Sequence, residues 1–175
     1  MRKHERKGCL DKANRKLLVK PTLYMETSVI SYLAARSSKD QILAGQQAST
    51  HRWWKERRRG YEIFVSKLVW QEASKGDKTA RQRRLRFIRP FRWLQVTSQV
   101  VKLAQALVGE KATPANAADD AVHIALGAVH GMNFLLTWNF THINNPATEE
   151  QIRDVCRRHG FHCPVICTPD QLLLT

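Results

Sequence analysis

No apolar run in the sequence approaches the roughly 20 residues that cross a bilayer. The opening stretch, MRKHERKGCLDKANRKLLVK, lacks the apolar block of a signal peptide. Both absences predict a cytoplasmic protein with no membrane partner. Cysteine is scarce as well: Cys9, Cys156, Cys163 and Cys167 follow no disulfide-framework spacing, so reduced thiols are expected. CRRHGFHC brings Cys156, His159, His162 and Cys163 close together, but at none of the usual paired zinc-ligand spacings, which leaves surface and core roles. Acidic residues are few, 15 against 29 Lys and Arg, for a formal net charge of +14. A folded form therefore carries a positive field that attracts polyanions and puts nucleic acid first among the expected partners. Charge alone does not separate a nuclease from a passive RNA binder. Internal repeats and low-complexity tracts are also missing.

What is present suits one domain, since 43% hydrophobic content over 175 residues is enough to bury a core. Residues 1–20 hold eight Lys or Arg and two acids with little periodicity, and read as a flexible basic arm before a domain over 21–175. From Thr22 the pattern is regular. A short apolar run, Thr22 to Met25, enters a helix capped by the hydroxyl of Thr27 or Ser28, with Glu26 at the join. A long helix is predicted over 40–59, a strand at YEIFVS, a helix stopped at Gly76 and another ended by Pro90. RWLQVT reads as the third strand and is followed by a helix closing at Gly109. Thr113 as cap and Pro114 in the first turn open a helix that ends at Gly131. MNFLLTW and PVICT are the last two strands, on either side of a helix over 147–158. Strands alternating with helices predict an α/β fold with a parallel sheet covered on both faces.

In such sheets ligands sit beyond the carboxyl ends of the strands. Glu26 falls at a strand-to-helix join, Glu72 about two helical turns after the second strand, and Asn139 and His142 after the fourth. Asp119 and Asp120 open an otherwise apolar helix, where burial without a partner is costly. With Thr113 as cap they belong to the second turn, beyond the reach of the helix dipole. Periodicity does not choose between them, since Asp120 shares a stripe with Ile124 and Ala128, and Asp119 a side with His123 and Leu126. If Glu26, Glu72 and an aspartate converge, their repulsion calls for a cation, and oxygen-only ligands suit magnesium or manganese.

LYMETSVISYL, SKLVWQEASKGD, AADDAVHIALGAVHGMNFLLTWNFTHI and PVICTP, in this order and spacing, resemble the motifs of PIN-domain proteins. The resemblance is closest to the VapC-like toxins of bacterial toxin-antitoxin pairs and covers roughly residues 22–170. It implies a three-layer α/β/α domain with a five-stranded parallel sheet, and an endoribonuclease that uses Mg2+ or Mn2+ to hydrolyse RNA. It also implies a cognate antitoxin and a homodimer. The family's acids fall on Glu26, Glu72 and Asp120, which selects Asp120 over Asp119, and its position after the fourth strand falls on Asn139. A further family acid has no counterpart, and His142 stands there instead. Three formal charges then remain, which predicts one firmly bound ion at most and leaves a weak or substrate-assisted site open.

On this resemblance Glu26, Glu72 and Asp120 hold the ion and Asn139 orients water or a phosphate oxygen. Thr27 and Ser28 would donate to the scissile phosphate, although helix capping accounts for them equally well. Arg83, Arg84 and Arg86, in an arginine-rich stretch, would engage RNA phosphates. Of Trp53 and Trp54 at least one is expected in the core, and His123 is read as a packed core histidine. Asn139 and His142 also keep a second reading open, a PIN-like RNA-binding or regulatory protein with weakened catalysis.

Overall fold

Apolar, β-branched and aromatic residues dominate the three innermost strands, as a parallel sheet buried on both faces requires. The computed structural model describes residues 19–174, so all but the last two residues of the predicted basic arm, 1–20, lie outside the described residues. Strands β1 (Thr22–Met25), β2 (Glu62–Ser66), β3 (Arg92–Leu94), β4 (Phe134–Leu136) and β5 (Val165–Cys167) form one parallel sheet. Their order is β3-β2-β1-β4-β5. β1 lies at the centre, with Leu23 in register with Ile63 on one side and Phe134 on the other. Leu23, Tyr24 and Met25 have no exposed surface.

Seven α-helices among the described residues cover the sheet: α1 (Thr27–Ala34), α2 (Gln41–Glu56), α3 (Lys67–Ala73), α4 (Lys78–Ile88), α5 (Ser98–Gly109), α6 (Ala118–Val129) and α7 (Glu149–Arg158). Helix α1 packs against α2, α3 and α4, while α5 packs against α6 and α7, giving a helical layer on each side of the sheet. Trp53 is fully buried and Trp54 half-buried, with the Arg58 guanidinium 4.7 Å from its ring centre. None of the described helices is long and apolar enough to cross a membrane.

Three boundaries differ from the sequence reading. The third strand ends at Leu94 rather than Thr97, because it is an edge strand and the Gln95 carbonyl accepts from His130 Nε2 at 2.8 Å. The cap of α1 is neither Thr27 nor Ser28 but Glu26, whose carboxylate accepts the Ser28 amide at 3.0 Å. Thr113 caps nothing: it is buried, and Ala115–Ala117 forms a separate 3-10 turn before α6 begins at Ala118. Asp119 and Asp120 therefore occupy the first turn of α6, and the helix dipole, set aside on sequence grounds, does act on both.

Helix α6 also lies close to the start of β5. A Cβ built on Gly127 would come within 2.9 Å of Pro164 Cγ, closer than side chains tolerate, so the glycine permits the approach.

Candidate metal centre

The chain leaves β1 on one side and returns through β4 on the other, so β1 and β4 flank the point where the strand order reverses. A crevice opens at their carboxyl ends. Glu26 is the first residue past β1, and Thr137, Trp138 and Asn139 follow β4. Helix α6 runs back toward the start of β4, which puts its first turn, with Asp120, at this same edge.

Glu26 is 6% exposed and is fixed by local hydrogen bonds. One carboxylate oxygen accepts the Ser28 amide, and the other accepts the hydroxyls of Ser28 and Thr137, the latter at 2.8 Å. Those hydroxyls in turn accept backbone amides, Trp138 on Ser28 at 2.8 Å and Asn139 on Thr137 at 2.9 Å. The loop after β4 is thereby fastened to the first acid.

Glu72 sits on α3 with its Oε2 accepting from the Thr27 hydroxyl and lying 3.1 Å from His123 Nε2. Burial opposes its ionisation, but the bond to His123, the charges of His123 and Lys75 and the Thr27 hydroxyl hold its carboxyl below the usual range. Asp120 is pushed the other way. Burial raises it, with the charge of Glu26 adding, and its hydrogen bond from Asn139 does not compensate.

His123 has no exposed surface, as the sequence reading had it, yet it belongs to the site. Its Nδ1 lies 2.8 Å from the Tyr24 hydroxyl, which lies 2.8 Å from Ser66 Oγ, and Ser66 caps α3 through the Val69 amide. Burial alone would lower its pKa, but the bond to Glu72 and the charges of Glu26, Glu72 and Asp120 raise it. The signal available in the sequence was its position three residues after Asp120, on one face of α6.

Donor atoms of Glu26, Glu72 and His123 all lie within 4.8 Å of one another. Asp120 is outside that set but near it: its charge acts on His123, and with Glu72 it lines one open pocket of about 390 Å³. Asp119 lines the same pocket but is exposed. The donor set fits a hard divalent cation. His123 Nε2 is engaged with Glu72, which leaves carboxylate oxygens as the ligands, and neither Glu26 nor Asp120 has a Lys or Arg ion pair among the described residues.

The remaining predicted residues have these places. Asn139 spends its side chain within the protein, donating to Asp120 Oδ1 at 3.0 Å and accepting the His142 amide at 3.1 Å. Thr27 and Ser28 both donate to the carboxylates rather than standing free. Arg84 caps the end of α3, with Nε 2.9 Å from the Ala73 carbonyl and a further bond to that of Lys75. Arg83 is half-buried with no acceptor for Nε among the described residues, and Arg86 is exposed.

No protein-family model matches the chain, and no curated protein matches it in sequence. Its fold has a solved counterpart: a chain of VapBC2 from Rickettsia felis, determined bound to a DNA fragment from their promoter. The two superpose with a TM-score of 0.54 over 84% of this chain and 98% of that one, at 13% identity. At that identity the likeness is one of fold: an α/β domain with a five-stranded parallel sheet, consistent with a PIN-like domain.

Proposed function

We propose that the protein is a divalent-metal-dependent endoribonuclease and the toxin of a toxin-antitoxin pair. The observation that supports this most is the meeting of Glu26 and Glu72, with Asp120 beside them, at the reversal point of a PIN-like sheet. Scattered acids would have suited a passive RNA binder.

Glu26, Glu72 and Asp120 would hold Mg2+ or Mn2+, which supplies an activated water and neutralises charge developing on the phosphodiester. The chain's own groups do the rest. Ser28 and Thr137 fix the Glu26 carboxylate in a nearly closed position, and His123 with Thr27 fixes the rotamer of Glu72. Asn139 acts as a positioning residue by orienting Asp120. The N-terminus of α1 would contribute its positive end to a phosphate bound beside Glu26, with Thr27 and Ser28 holding the carboxylates in place. Arg83, Arg84, Arg86 and the wider cationic surface would draw RNA in. A cognate antitoxin, a homodimer and a cytoplasmic setting complete the reading.

The test is cleavage of labelled RNA by the purified protein with Mg2+ or Mn2+. Activity should vanish in EDTA and fall by at least about a hundredfold in Asp120→Asn. Cleavage indifferent to both changes would sink the metal mechanism. RNA bound but never cut would favour the weakened, regulatory form.

A further inference from the structure

Beside the carboxylates lies an aromatic cluster that the metal chemistry leaves unused. Tyr32, one turn after Ser28 on the same face of α1, stacks on Trp138 with ring centres 5.9 Å apart and planes 21° apart. Trp138 carries Phe140 at 5.9 Å and 65°. Trp138 is 7% exposed and tied down at both ends, its indole Nε1 donating to Thr50 at 2.8 Å and its amide to Ser28. Phe140, by contrast, is 48% exposed. A bond from its amide to the Trp138 carbonyl, 3.0 Å, turns the chain so that the phenyl ring stands outward while Asn139 points in to Asp120. An exposed Phe next to a crowded acidic site has no role in the packing of the core.

We propose that Phe140, backed by Trp138 and Tyr32, is a stacking platform for an unpaired base of the RNA strand whose phosphate occupies the acidic site. The inference rests on the ribonuclease reading and adds to it a residue that would contact a base of the substrate, with little preference among bases at that step. Every base has a π-face, and an aromatic ring held rigidly loses no freedom on binding one. The platform and the carboxylates share a framework, because the Ser28 hydroxyl bonds Glu26 on one side and the Trp138 amide on the other. A base on Phe140 would thus be registered against the metal-binding residues. The net charge of +14 supplies affinity for the backbone without regard to bases, so the ring is what would distinguish a strand with unpaired bases from one without.

The experiment compares binding of two short fluorescent RNAs in EDTA, one single-stranded with all its bases and one of equal length carrying abasic riboses. The parent should prefer the base-bearing strand. Phe140→Ala should weaken that complex about tenfold, leave the abasic complex within about twofold, and melt as the parent does. Phe140→Trp should keep the affinity and show indole quenching on binding. Equal affinity of parent and Phe140→Ala for the base-bearing strand would overturn the platform and leave the nuclease reading standing. A parent that binds neither RNA would overturn the platform, and cleavage with Mg2+ or Mn2+ decides the nuclease reading separately.

Discussion

Asn139 holds Asp120: its Nδ2 donates to Oδ1 at 3.0 Å, and its carbonyl oxygen takes the His142 amide at 3.1 Å, so both ends of the amide are committed. Only one orientation of the amide satisfies an acceptor on one side and a donor on the other. In Asn139→Asp the donor is replaced by a second carboxylate facing Asp120. The metal-free fold should lose about 1–3 kcal/mol. Mn2+ should raise the melting temperature of the variant more than that of the parent, and thermal melts with Mn2+ and with EDTA measure the difference. An identical Mn2+ effect on both proteins would contradict the arrangement.

Asp120 is raised by burial and by the charge of Glu26, so ionising it costs the metal-free fold something. A carboxyl raised on folding binds protons more tightly in the native state. The cost therefore sets in as pH rises through the ordinary carboxylate value and is complete above the raised one. Asp120→Asn should melt no lower than the parent in EDTA at neutral pH, with any advantage fading as pH falls through that window. Cleavage should be lost all the same. A variant markedly less stable than the parent at neutral pH would show that the charge is compensated.

Arg84 and Arg86 lie two positions apart but do different things. Arg84 is spent on the carbonyls of Ala73 and Lys75, whereas Arg86 is exposed and absent from the ion pairs among the described residues. Arg84→Ala should cost about 1 kcal/mol of stability and change RNA affinity little. Arg86→Ala should leave stability alone, weaken RNA binding and reduce the salt slope by about one. Denaturant titration and salt-dependent binding separate the two.

Among the described cysteines, Cys163 should react first. Its hydrogen bond with Cys156 lowers its pKa against the effect of burial, with the Arg153 charge assisting. That same bond and burial raise Cys156, and burial, with the charge of Asp170, pushes Cys167 up to about 12. Iodoacetamide at pH about 8 should therefore alkylate Cys163 before either of the others, as peptide mass mapping over time would reveal. Labelling of Cys167 first would contradict the order.

The strand and helix alternation was legible because each element carries its own period and its own stop signal, as at Gly76, Pro90 and Gly131. The caps were less so. A hydroxyl is the usual N-cap, but at α1 a carboxylate one residue earlier takes the amide, and this follows from how the chain leaves β1 rather than from local preference. The start of α6 was misplaced because Thr113 and Pro114 look like an entry signal, while the buried turn at Ala115–Ala117 delays the helix. Glu26 and Glu72 could be proposed from their places after strands. For His123 the spacing after Asp120 marked only a shared face of α6, while its approach to Glu72 comes from the tertiary fold that brings α6 and α3 side chains together.

The close passage at Gly127 and Pro164 sets how deep α6 sits. The helix carries Asp120 at its front and His123 one turn on, so its height above the sheet decides whether these side chains reach Glu26 and Glu72 or stop short. A single methyl group at 127 would act as a wedge under the far end of α6, tilting its front end and drawing Asp120 and His123 away from Glu26 and Glu72 from a position that touches none of the acids.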